Sequence, residues 1–244
     1  MQTEYPQDSE TSHTGNGHLQ LVAEAEWLGL ESGVITALAS AIDHARLVGY
    51  PAGSTLYNEG TEIEALYIIR QGMVKLLSYL GDGHARIVRL HNRPSIIGLN
   101  GLLGEPHEHT AIAVDEVQVY QLPMIILASL RDDDPNAFSC LTGQWSQYLN
   151  AADTWITEFS SGPIRGRVAR LIRFLAGFET DTAPGVVTLL TGKEMAEVLG
   201  VTPESISRVI ADYKRKGILQ PLQGAESSEC YSCDLRALEK ESLG

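Results

Sequence analysis

Glu204, Ser207 and Arg208 stand at i, i+3 and i+4, so on a helix they share one face. Arginine can pair bidentately with guanine, glutamate can accept from the cytosine amine, and a small serine can approach a thymine methyl. Three such side chains near the start of an exposed helix are suited to reading base edges in a DNA major groove. Their neighbours place the helix. Thr202 is a cap, and Pro203 stands at the first helical position, where its missing N–H costs nothing. Ile206, Val209, Ile210 and Tyr213 recur at helical spacing on the opposite face.

Upstream, Thr191 and Glu194 form a capping box that opens a shorter helix with Met195, Ala196, Val198 and Leu199 on its buried side. Gly200 ends that helix and permits a tight turn. Thr191–Gly217, TGKEMAEVLGVTPESISRVIADYKRKG, therefore reads as a helix-turn-helix. A helical corner would also place two amphipathic helices around a glycine, but caps, turn and polar face together favour the DNA reader. Lys193, Thr202 and Pro203 complete the expected DNA-contacting set, with Lys214 and Lys216 at phosphates.

The net charge of −13 over 244 residues argues against a nucleic-acid partner until it is divided. Pro163 to Gln220 holds nine Lys/Arg and six Asp/Glu, a net of +3, while the remainder holds nine and twenty-five, a net of −16. The positive part coincides with the helix-turn-helix. No run approaches the ~18 apolar residues of a membrane span. Met1–Asn16 is polar and lacks the apolar centre of a signal peptide. Three scattered cysteines do not make a secreted disulfide scaffold, and a cytoplasmic location is expected.

Residues 1–17, rich in Ser, Thr, Gln, Gly and acid, are expected to form a disordered tail. A sensor domain is expected over 18–134: a short helical region to about Ile42, then short strands such as Leu56–Tyr57, Leu66–Ile69, Val74–Leu77, Ile87–Leu90 and Val117–Leu122 in a β-roll resembling a jelly roll. Over 135–160 the period changes to 3.5. Phe138, Leu141, Trp145, Tyr148, Ala152, Trp155 and Phe159 make an apolar seam, which predicts a long helix pairing with a second copy. Residues 161–244 are expected to form a winged helix-turn-helix domain, opened by Pro163 and a helix Ile164–Phe178 with four arginines turned outward and closed by a β-wing over Ile218–Cys233. The fold class is thus α+β.

Three features resemble the cyclic-AMP receptor protein/fumarate-nitrate reduction regulator (CRP/FNR) family. Pro51–Leu76, PAGSTLYNEGTEIEALYIIRQGMVKL, is similar to its β-roll signature of spaced glycines and Leu-Tyr pairs; the long helix precedes a helical DNA-binding domain; and Val201–Ile210, VTPESISRVI, is very close to its recognition helix. The resemblance spans about Leu28–Leu219 and implies a homodimeric transcription regulator, with double-stranded DNA and RNA polymerase as partners and a small-molecule effector in the roll. It implies an effector pocket at Gly98, Leu99, Asn100, His109, Thr110, Tyr148, Ala152 and Asp153. The Glu/Ser/Arg reading set matches the fumarate-nitrate branch, which implies an inverted repeat resembling TTGA-N-TCAA.

The chain departs from the family's cyclic-AMP binders. Leu99 stands where their ribose-binding glutamate is expected, and His109-Thr110-Ala111 replaces their phosphate-binding Arg-Ser-Ala. Leucine cannot accept from a hydroxyl, and an ordinary histidine is mostly neutral at pH 7. Asp153, where those binders place a hydroxyl residue, further disfavours an anionic nucleotide, so the expected effector is not cyclic AMP. No cysteine precedes Cys140, against an N-terminal iron–sulfur cluster. Haem held by His84, His91, His107 or His109, and a redox role for Cys230 and Cys233, stay open as sensing modes. The rival from another class is a metal-dependent cupin-type enzyme, since His107-Glu108-His109 looks like a two-histidine ligand motif. No histidine follows His109 to complete such a site, and no nucleophile–base constellation is evident.

Overall fold

The computed structural model describes residues 33–34, 37–38, 44–81, 83–178, 185–222 and 229–243, with only the backbone for 145–149. The expected tail to Gly17 and most of the helical region to Ile42 lie outside the described residues; Gly33, Val34, Ala37 and Leu38 are helical.

Strand alternation builds the roll. Its eight strands are β1 (Arg46–Tyr50), β2 (Thr55–Tyr57), β3 (Ala65–Gln71), β4 (Val74–Tyr79), β5 (Ala85–His91), β6 (Ile96–Ile97), β7 (Thr110–Ala113) and β8 (Val117–Pro123). They form two antiparallel sheets, ordered β1-β8-β3-β6 and β2-β7-β4-β5. The period of two sends Ile69, Val74, Val117 and Val119 into a core between the sheets. It sends Leu66, Ile68, Tyr120 and Leu122 to the other face, where they meet helices. That second face is covered by α1 (Met124–Asp133) and α2 (Pro135–Ser160) through Leu127, Leu130 and Leu141. Asp134 caps α2 by accepting from the Ala137 N–H at 3.1 Å, with Pro135 following.

Phe138, Leu141, Trp155 and Phe159 of the α2 seam pack against their own chain, where the sequence expectation placed them against a second copy. Leu141 is fully buried against the roll, and Phe138 packs at that core's edge with the Arg131 guanidinium 5.1 Å from its ring. Trp155 and Phe159 join Phe174 in an edge-to-face cluster, at centroid distances of 4.7 to 5.6 Å. An apolar stripe goes to the nearest apolar surface, and roll and DNA-binding domain supply it at the two ends of α2. The side chains of Trp145 and Tyr148 lie outside the described residues. Ser139, Gly143, Asn150, Thr154 and Thr157 occupy the exposed side.

The C-terminal domain holds α3 (Ile164–Ala176), β9 (Val186–Thr188), α4 (Gly192–Leu199), α5 (Pro203–Arg215), β10 (Leu219–Pro221), β11 (Cys230–Cys233) and α6 (Leu235–Leu243). The strands form a small sheet ordered β10-β11-β9. Its core, around Val168, Leu171, Ile172, Met195, Leu199, Ile206 and Tyr213, runs without a break into Leu77, Ile87 and Leu90 of the roll. Cys230 and Cys233 sit three residues apart on one strand, so their Cα atoms are roughly 10 Å apart, beyond the reach of a disulfide. That geometry excludes a disulfide between Cys230 and Cys233 within the chain. Burial, then the Asp234 carboxylate, pushes the Cys233 thiol up, away from a reactive thiolate.

Candidate nucleic-acid interface and effector cavity

The turn between α4 and α5 is set by its caps. The Thr191 hydroxyl accepts from the Glu194 N–H at 3.2 Å, and the Glu194 carboxylate accepts from the Thr191 N–H at 3.0 Å. Gly200 closes α4 at φ 62°, a left-handed conformation that a side chain would strain. Thr202 then accepts from the Ser205 N–H at 3.4 Å and starts α5. Ile206, Val209 and Tyr213 pin α5 into the core, and the Tyr213 hydroxyl donates to the Arg165 carbonyl at 2.8 Å. Glu204, Ser207 and Arg208 are left exposed together at its N-terminal end. Hydrogen bonds from its own N–H and from the Thr202 hydroxyl, then the Arg208 charge, hold the Glu204 carboxyl below the usual range. It therefore stays an acceptor.

The lysines divide. Lys193 is 81% exposed, in a loose 3.7 Å pair with Glu197. Lys214 donates to the Tyr231 hydroxyl at 2.7 Å and lies 4.5 Å from that ring, so it braces the wing strand. Lys216 lies 3.4 Å from Asp212 and 3.3 Å from Glu241. Exposed Arg215, which sequence reasoning passed over, pairs with Asp212 of its own helix.

The four arginines of α3 do not all face outward, which is a second correction. Arg165 bonds Asp212 at 2.6 Å and Glu241 at 3.0 Å, tying α3 to α5 and α6. Arg167 donates to the Leu199 carbonyl at 2.9 Å. Arg170 donates to the carbonyls of Glu158 and Ser242, both at 2.7 Å. Only Arg173 is exposed. The ends of α2, α4 and α6 cover the polar side of α3, so these cations satisfy carbonyls and carboxylates there.

A cavity of about 430 Å³ lies between the roll and α2. Five of the expected pocket residues line it: Gly98, Leu99, Asn100, His109 and Ala152. Thr110 is buried beside it with its hydroxyl accepting from the Glu59 N–H at 3.1 Å, Asp153 is exposed on α2, and the Tyr148 side chain is outside the described residues. Leu99 is also a core residue, packed with Ile63, Leu66 and Met124. The lining that sequence reasoning missed comes mainly from β5, as Arg86, Arg89 and His91, with Tyr57, His107, Trp155 and Ile156. The alternation Arg89-x-His91 on a strand is the signal that could have found two of them.

Burial makes the cavity histidines poor bases. Desolvation, then the nearby Arg89 charge, lowers the His91 pKa to about 3. Desolvation lowers that of His107 to about 4, and its ring stacks on Tyr57 at 3.5 Å. The Nδ1 of His109 is buried without a hydrogen-bond partner among the described residues. Among those residues no group of three or more His, Cys, Asp or Glu side chains is arranged to hold a metal ion.

Two family descriptions match this architecture: the cyclic nucleotide-binding domain over residues 47–134 and the Crp-like helix-turn-helix domain over residues 166–241. The chain belongs to the CRP/FNR family of DNA-binding transcription regulators. This regulator is 26% identical over 190 residues to the transcriptional regulator LdrP of Thermus thermophilus, covering 77% of this chain and 92% of that one. It is 26% identical over 199 residues to a CRP-like cAMP-activated global transcriptional regulator of Mycobacterium tuberculosis, covering 78% and 85%. A solved CRP-family transcriptional regulator from Thermus thermophilus superposes with a TM-score of 0.66 at 25% identity, covering 81% of this chain and 97% of that one. No helix among the described residues is long and apolar enough to cross a membrane.

Proposed function

We propose that this CRP/FNR regulator acts in the cytoplasm as a homodimer on an inverted TTGA-like repeat, and that an effector other than cyclic AMP, seated between roll and α2, sets its affinity. The carrying observation is the cavity itself. It borders the α2 that leads into the reader, and its wall residue Trp155 stacks on Phe174 of the DNA-binding domain. Occupancy there can reach the reader through packed aromatics alone. Activation by cyclic AMP, part of the Mycobacterium relative's name, is not carried over, because buried Leu99 offers no acceptor and the chain has His109 where the family's cyclic-AMP binders have an arginine. We assign dimerisation to the exposed side of α2, around Ser139, Gly143, Asn150, Thr154 and Thr157, with RNA polymerase as the partner of the DNA-bound dimer.

Selection from random DNA is expected to return TTGA-like half-sites whose centres lie about one helical turn, ~34 Å, apart. Cyclic AMP is expected to give no saturable calorimetric signal coupled to tighter operator binding. Unrelated selected sequences, or such a signal, would overturn the respective parts. A haem reading rests on the unpartnered Nδ1 of His109, which could serve as an axial ligand. A visible absorption spectrum of freshly purified protein decides it.

A further inference from the structure

Helix α4 of the reader lies along β5 of the roll, and a roll cation lies at each of its ends. At the N-terminal end Lys75 Nζ meets Glu194 Oε1 at 2.7 Å, the two side chains being 15% and 13% exposed. Glu194 is also the capping-box residue, so one carboxylate both starts the helix and docks it. Burial pushes its pKa up, but the hydrogen bonds from Lys75 and Thr191 prevail and keep it ionised. At the C-terminal end the Arg86 guanidinium lies against Gly200, so close that a Cβ there would collide with it. Arg86 also lines the cavity beside Arg89 and His109, and no carboxylate among the described residues pairs with it.

We infer that Arg86 couples the cavity to the reader: an anionic effector with an apolar body draws Arg86 away from the end of α4 and releases the helix-turn-helix from the roll. This rests on the reading above that the cavity holds an effector. A helix C-terminus offers Arg86 roughly half an elementary charge, whereas a carboxylate offers a full charge in a matching bidentate geometry. Leu76, Ile97 and Trp155 supply apolar wall for the rest of the ligand, the buried Nδ1 of His109 supplies a further polar contact, and Glu108 stays at the exposed rim.

The test uses full-length protein, amide hydrogen exchange of β5 and α4, and binding to a selected operator. Without ligand, Arg86→Gln and Lys75→Gln are each expected to speed exchange in both elements and tighten operator binding about tenfold, within the usual range of such couplings. Octanoate should do the same to the wild type but not to Arg86→Gln, and octanamide, its uncharged counterpart, should do nothing. If Arg86→Gln fails to fold, Lys75→Gln carries the release arm, since Lys75 does not line the cavity. Unchanged exchange and affinity in the folded variants would overturn the latch. An octanamide response equal to that of octanoate, or no response to octanoate, would overturn the ligand class. A wild type that binds no operator at all would instead overturn the regulator reading.

Discussion

Helices α3 and α5 belong to one small domain and both carry several cations, but the inward-bonded arginines of α3 contrast with the exposed Arg208 of α5. On α3, Arg165, Arg167 and Arg170 are committed to Asp212, Glu241 and the carbonyls of Leu199, Glu158 and Ser242. On α5, Arg208 is exposed and makes no hydrogen bond or ion pair among the described residues. Net positive charge over Pro163–Gln220 therefore marks the segment that holds the helix-turn-helix but does not mark which of its residues can read DNA. An arginine already bonded inward holds the reader in shape, and one without an internal partner can read.

Acid should bring the largest change, and it acts first through two buried histidines of the roll. The lowered pKa values of His91 and His107 mean that below about 6.5 the unfolded chain takes up protons the folded roll refuses. The stability they contribute is full above the unfolded pKa and is lost as pH falls toward about 4 for His107 and about 3 for His91. Each is expected to add about 1.4 kcal/mol per pH unit to the slope, and His91→Gln should flatten it in urea unfolding as a function of pH. Next, Arg170→Ala strips partners from three carbonyls, those of Glu158, Ser161 and Ser242, and should cost about 2–4 kcal/mol of unfolding free energy, with operator preference unchanged in the protein that stays folded. Arg208→Ala is the mirror image. Its denaturant midpoint should hardly move, by under about 0.5 kcal/mol, while operator binding loses roughly 1–3 kcal/mol and the guanine preference relaxes. Lys193→Gln should have the smallest effect, weakening all sequences alike and lowering the salt slope by about 0.9. If Arg170→Ala changed sequence preference, or Arg208→Ala unfolded the domain, the division between the two helices would fail.

The helix-turn-helix was legible because its signals are local. A capping box, a left-handed glycine and a polar i, i+3, i+4 face all lie within a short span, and none needs a distant partner to be interpreted. The strand runs around Leu66–Ile69 and Val117–Leu122 were legible for the same reason. The cavity was not. The register of β4 on β5 shifts between Leu76 and Leu77, which resets the alternation and hides which β5 residues turn toward the cavity. The α2 seam shows the other limit. A 3.5 period establishes that one side of a helix is apolar, but nothing in the period says whether the roll, Phe174 or a second copy will cover it. The α3 arginines were misplaced likewise, because a polar face at helical spacing does not reveal that α6, far along the chain, will lie across it.

Trp155 gives the protein a reporter of its own. Its indole borders the cavity on one side and stacks edge-on against Phe159 and Phe174 on the other. An incoming molecule changes the polarity around that ring, and a moving reader changes its aromatic neighbours, so both events alter one emission band. With Trp27 and Trp145 replaced by phenylalanine, the remaining fluorescence would follow cavity and reader at once, and compounds could be screened as effectors without a dye or a known operator.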